Sequence, residues 1–94
     1  MTKADLVGRV AERTGLTKTD VAVVMDSIIE NIKLSMEAGH NIELRDFGTF
    51  KVKLRKARKA RNPSNGDVVL IPGRKVPVFK PSNEFKNLIT KLSV

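Results

Sequence analysis

Apolar residues recur at helical spacing through the first part of the chain. Leu6, Val7, Val10 and Ala11 fall on one face of a segment running from about Lys3 to Arg13. Thr2 stands before it as a cap, with Asp5 three residues on as a capping-box partner, and Gly15 is the stop. A longer helix is expected from Thr17 to Ala38, again with an acid, Asp20, three positions after the cap. Val21, Val24, Met25, Ile28, Ile32 and Met36 form its stripe, and Ala22 and Ile29 widen it. A helix apolar on more than one side is buried on more than one side. In a chain of 94 residues, the extra side needs a second subunit to cover it.

The repeat then shortens to strand alternation. Ile42 and Leu44 alternate with Glu43 and Arg45, and Phe47-Gly48-Thr49-Phe50 reads as a tight turn between two strands. Phe50, Val52 and Leu54 next alternate with Lys51, Lys53 and Arg55. One face is apolar and the other basic, as in a sheet that packs on helices and meets phosphates. Beyond Arg55 the apolar alternation stops. Lys56, Arg58, Lys59 and Arg61 crowd together, and Asn62-Pro63-Ser64-Asn65-Gly66-Asp67 is a cluster of turn formers. Val68 to Ile71 is a second β-prone run, closed by Pro72-Gly73. The pattern predicts a β-ribbon that projects into solvent and is mobile without a ligand. Eight residues reach about 26 Å, further than so small a body covers. Val76, Val78 and Phe79 bring the chain back to the sheet. Ser82 caps a last helix whose Phe85, Leu88, Ile89 and Leu92 fit the amphipathic template.

Charge sharpens this picture. Residues 1–50 hold six Lys/Arg against eight Asp/Glu, whereas residues 51–80 hold ten against one. The net +8 of the chain is therefore concentrated in one segment. Solubility needs no such segregation; a polyanion partner does.

The same composition narrows the chemistry. Cysteine and tyrosine are absent and there is one histidine, His40, so no catalytic set or metal-ligand spacing is visible. Asp46-Phe47-Gly48 spells a kinase signature without the companion motifs. No enzyme activity, metal or cofactor is expected. The opening residues form no secretory h-region, and no run is long enough to span a bilayer. The expected address is the cytoplasm.

Three motifs together are more specific. With Phe47-Gly48-Thr49-Phe50, Arg61-Asn62-Pro63-Ser64-Asn65-Gly66-Asp67 and Val76-Pro77-Val78-Phe79-Lys80-Pro81, the chain closely resembles the HU/integration host factor family of bacterial architectural proteins over essentially its whole length. The resemblance implies an α+β fold as a single domain, residues 1–94. A helical hairpin (1–40) would join a three-stranded antiparallel sheet (41–54 and 76–80), a protruding DNA-binding arm (55–75) and a short C-terminal helix (82–92), in an intertwined dimer. It implies a nucleoid-associated protein that binds double-stranded DNA in the minor groove and bends it without strong sequence specificity. Pro63 would be the intercalating wedge, with Arg55, Arg58, Arg61 and Asn62 around it. Lys3, Lys53, Lys75, Lys80 and Lys86 would line the DNA path, and Phe47, Phe50 and Phe79 the dimer centre. Ala60 stands where glycine usually precedes the tip arginine, Asp46 where glycine often precedes Phe47, and Ser82-Asn83 where Gly-Lys is usual. Glu43 and Arg45, taken as sharing one strand face, resemble a pair in the site-selective branch. A site-selective, heterodimeric subunit is therefore the alternative, and RNA is a secondary partner class. Against RNA, no aromatic residue falls at a position for stacking bases on an exposed sheet.

Overall fold

The computed structural model describes residues 1–92; residues 93–94, the end of the expected domain, lie outside the described residues. Helix α1 spans Lys3–Thr14 and α2 spans Lys18–Glu37. The caps explain their starts. Thr2 Oγ1 accepts from the Asp5 amide at 3.3 Å, and the Asp5 carboxylate accepts from the Thr2 amide at 2.9 Å. Two otherwise orphaned donors are satisfied reciprocally. Thr17 caps α2 through its side chain, accepting from the Asp20 amide at 3.1 Å, without the reciprocal bond.

Strands β1 (Ile42–Leu44), β2 (Gly48–Arg55) and β5 (Arg74–Pro81) form an antiparallel sheet in the order β1-β2-β5. Strands β3 (Arg58–Arg61) and β4 (Val68–Ile71) form a separate two-stranded ribbon. Helix α3, Asn83–Thr90, follows β5, with Ser82 accepting from the Phe85 amide at 3.1 Å. The α+β fold, with its helical hairpin, three-stranded sheet, ribbon and terminal helix, is thus the expected one.

The β1–β2 turn corrects one expectation. It lies at Arg45-Asp46-Phe47, and Gly48 is already in β2, paired with Leu44. Asp46 supplies the left-handed turn conformation at φ 65, a region that Asp tolerates better than most residues. Phe47 N–H donates to the Leu44 carbonyl at 3.0 Å and closes the turn. Gly48 is needed for a different reason. A Cβ there would sit 2.6 Å from the Lys80 carbonyl oxygen and 2.6 Å from the Phe79 ring. Because the turn takes Arg45 out of β1, Glu43 and Arg45 do not share a strand face.

All four phenylalanines of the chain gather over this close approach. Ring centroids lie 5.0 Å apart for Phe47 and Phe79, 4.9 Å for Phe50 and Phe79, and 5.4 Å for Phe47 and Phe85. Phe85, on α3, ties the last helix to the sheet. Even so, Phe47 stays 43% exposed. Among the described residues only Val7, Ala11 and Val21 form a buried apolar core. An open apolar trough of about 780 Å³ runs between the helices and the sheet, with Leu6, Ile28, Leu44, Phe47 and Phe50 on its walls. A radius of gyration of 18.9 Å contrasts with about 12 Å for a compact domain of this length. The subunit alone is an incomplete folding unit with an arm attached.

The sheet and the arm meet at a break. Sheet pairing ends at Arg55–Arg74 and ribbon pairing begins at Arg58–Ile71. Lys56-Ala57 and Pro72-Gly73 lie between, outside both ladders. Pro72 has no N–H to give a ladder. At Gly73 the chains pass so closely that a Cβ would lie 3.1 Å from the Arg55 carbonyl oxygen.

Candidate nucleic-acid interface

Residues directly opposite in an antiparallel pair share a face, and successive residues alternate. The β2–β5 register therefore sorts the side chains. Thr49–Lys80, Lys51–Val78, Lys53–Val76 and Arg55–Arg74 occupy one face. Phe50–Phe79, Val52–Pro77 and Leu54–Lys75 occupy the other. Lys53, Arg55 and Lys80 are thereby brought together, and Lys51 and Arg74 join them. Lys51 follows from the strand alternation, whereas Arg74 becomes visible only when the register places it opposite Arg55. Lys75 lies on the other face, beside a groove lined by Met36, Val52 and Pro77 near the end of α2.

Arg45 sits in the β1–β2 turn and Lys86 on α3. With Lys51 and Lys80 they surround a shallow concavity of about 420 Å³, which Glu43 and Asp46 also border. Lys3 is engaged elsewhere: its Nζ is 2.6 Å from Asp26 Oδ1, both side chains being more than half exposed. This is the one ion pair among the described residues. Arg45, Arg55, Arg58 and Arg61 have no carboxylate partner within salt-bridge distance among the described residues.

The arm carries cations on both faces. In the β3–β4 register, Arg58 faces Ile71 and Ala60 faces Val69 on one side. Lys59 faces Leu70 and Arg61 faces Val68 on the other. Ala60 is an ordinary strand residue, so the glycine usual at that position is not required here. Asp46 is the only non-glycine residue with positive φ among the described residues.

The tip is organised by its own hydrogen bonds. Asn62 N–H donates to the Asp67 carbonyl at 2.7 Å, and Gly66 N–H donates to the Asn62 carbonyl at 2.8 Å. The Asn62 side-chain carbonyl accepts from the Ser64 amide at 2.9 Å, an Asx turn that spans Pro63. Asn65 repeats the device, accepting from the Asp67 amide at 2.9 Å. Gly66, at φ 76, takes the left-handed step that brings the chain back. Pro63 opens the turn at the tip. It has no N–H to satisfy and little entropy to lose on packing.

Among the described residues no group of three or more His, Cys, Asp or Glu could hold a metal ion. No helix among them is long and apolar enough to cross a membrane.

Known proteins share this arrangement. DNA-binding protein HU of Clostridium pasteurianum is 41% identical over 91 residues, which span 97% of this chain and 100% of that one. DNA-binding protein HU of Geobacillus stearothermophilus is 39% identical over 89 residues, 95% of this chain and 99% of that one. Among solved structures, the Anabaena HU–DNA cocrystal structure matches with a TM-score of 0.90 at 33% identity, covering 98% of this chain and 100% of that one. HU from Thermotoga maritima matches with a TM-score of 0.69 at 28% identity, covering 95% of this chain and 98% of that one. The profile of the family described as "Bacterial DNA-binding protein" matches residues 1–90, and the chain belongs to that family.

Proposed function

We propose that the chain is one subunit of a dimeric architectural protein that lays its arms in the minor groove of double-stranded DNA and bends the duplex. The observation that carries this reading is the arm: a ribbon with cations on both faces and a proline in its tip turn. A ribbon lying on a flat surface uses one face. Cations on both faces suit a groove, which has a phosphate wall on either side. Pro63 is the wedge between base pairs. Unstacking costs roughly a few kcal/mol for minor-groove architectural proteins and is offset by contacts along the bent duplex. Arg55, Arg58, Arg61 and Asn62 act beside the wedge. Lys53, Lys80, Lys86 and Arg45 hold the DNA where it crosses the body, with Lys3 and Lys75 further along its path. Phe47, Phe50 and Phe79 centre the dimer, where a partner subunit fills the apolar trough.

Low sequence specificity is the favoured form. HU proteins match this chain over nearly its whole length, and Glu43 and Arg45, the pair that points to a site-selective subunit, lack a shared strand face. The role involves no reaction and no cofactor, and it places the protein on the nucleoid. Fluorescence transfer between the ends of a short duplex at saturating protein tests it. Pro63→Ala should lengthen the end-to-end distance while much of the affinity for linear DNA survives. An unchanged distance would rule out the wedge.

A further inference from the structure

The chain has six asparagines, and the residue after each decides how open its side-chain amide is to attack by the main chain. Asn31, Asn83 and Asn87 lie in helices, where φ and ψ are fixed. Asn41 precedes the β-branched Ile42, and its side-chain oxygen accepts from the Val52 amide at 3.0 Å. Asn62 precedes Pro63, which has no N–H to give up. Asn65 alone precedes a glycine, and both residues are exposed in the tip turn. Gly66 has no Cβ to hinder the approach of its nitrogen. Two hydrogen bonds bear on this pair. Asp67 N–H donates to Asn65 Oδ1 at 2.9 Å, and Gly66 N–H donates to the Asn62 carbonyl at 2.8 Å. The first polarises the side-chain carbonyl at the oxygen on which negative charge develops during attack. The second holds the attacking nitrogen by its proton.

We propose that Asn65 is a site of spontaneous deamidation, gated by the Gly66–Asn62 hydrogen bond, that turns a neutral arm tip acidic. The Gly66 nitrogen attacks Asn65 Cγ. A bond forms between them, the Cγ–Nδ2 bond breaks, and ammonia leaves with the Gly66 amide proton. The resulting succinimide ring then adds water. Opening at the bond to Cγ gives aspartate. Opening at the bond between the Gly66 nitrogen and the Asn65 main-chain carbonyl carbon gives isoaspartate. Nothing is oxidised or reduced, and water is the only co-reactant. Either product adds a carboxylate to a tip, residues 61–67, in which Arg61 is balanced only by Asp67. Isoaspartate also lengthens the main chain by a methylene between Asn62 and Asp67, where the closing bonds of the turn are made.

The chemistry stands on the tip geometry alone; its effect on DNA rests on the function proposed above. The test is to age the full chain at mildly alkaline pH, native and in guanidinium chloride, and to locate converted residues by peptide mass mapping while released ammonia is measured. Asn65 should convert ahead of every other asparagine, with ammonia released in step. Conversion should be about fivefold faster in the unfolded chain, the worth of one net hydrogen bond holding the nitrogen. Asn65→Gln, whose extra methylene disfavours ring closure, should abolish the fast ammonia release. Asn65→Asp, which supplies the product charge at once, should bind duplex more weakly than fresh wild type at low salt, with the gap closing as salt rises.

Conversion spread evenly over the asparagines, or ammonia release unchanged in Asn65→Gln, would overturn the site. Equal rates in the native and unfolded chain would overturn the gate. If fresh wild type fails to bind duplex, the function proposed above falls, and the mass map still decides the modification. If wild type binds and Asn65→Asp matches it at every salt concentration, the tip charge has no effect on DNA and that consequence of the modification falls.

Discussion

The body and the arm of this subunit are held together by different physics. In the body, four aromatic rings meet with centroids as close as 4.9 Å and a glycine is pressed against a carbonyl. Its apolar surface is unfinished on the trough side. The arm has no core. Its shape comes from four ladder pairs, two Asx-type side-chain bonds and a left-handed glycine. Substitutions in the body should therefore be read out by stability and assembly, and substitutions on the arm by DNA.

The strongest way to break that division is through the aromatic cluster. Phe79→Ala removes a ring that neighbours Phe47, Phe50 and Phe85, and should cost about 3–5 kcal/mol. Wild-type melting should shift with protein concentration, as it does for an obligate dimer. A melt independent of concentration, with a monomer mass at micromolar protein, would mean that the trough has no protein partner.

Gly48→Ala comes next. Its new Cβ meets backbone rather than a flexible side-chain end, so the strands must move apart, at about 1–3 kcal/mol by denaturant titration. A variant as stable as wild type would show that the β2–β5 contact is looser than it looks.

Arg58→Ala should do the reverse. It should leave the melt unchanged and reduce the salt slope of DNA binding by about one for each phosphate that Arg58 neutralises. A lowered melting temperature with an unchanged slope would place Arg58 with the body's physics.

The smallest effect belongs to the one exposed ion pair among the described residues. Asp26→Asn should change stability by less than about 1 kcal/mol, because both partners are solvated. It also frees Lys3, so DNA affinity at low salt should rise slightly. A fall in affinity would show that the pair positions Lys3 rather than occupying it.

Local signals are the legible ones. Caps at Thr2, Thr17 and Ser82 and the two-faced alternation of β2 follow from neighbouring residues, and the structure has them. Relations across the chain are harder to read. Gly48 looks like a turn residue because glycine is common in turns, yet it is required by Lys80 and Phe79, some thirty residues away. Arg74 and Lys75 look interchangeable in sequence, and only the register separates their faces. Phe85 fits the stripe of α3, but nothing in that periodicity shows that its ring stacks on Phe47 at an interplanar angle of 16°. Nothing local in the sequence links Lys3 to Asp26.

The break between the sheet and the ribbon has a mechanical consequence. From Ala57 to Pro63 the arm is a lever of about 20 Å at strand rise. Rotating such a lever by about 10° at its base moves the tip by about 3.5 Å, close to the rise of one base pair. With Pro63 acting as the wedge proposed above, the step it would enter depends on the angle at Lys56-Ala57 and Pro72-Gly73. A residue that stiffens or redirects this pivot would shift the spacing between two kinks on a duplex in steps of whole base pairs, without touching a base.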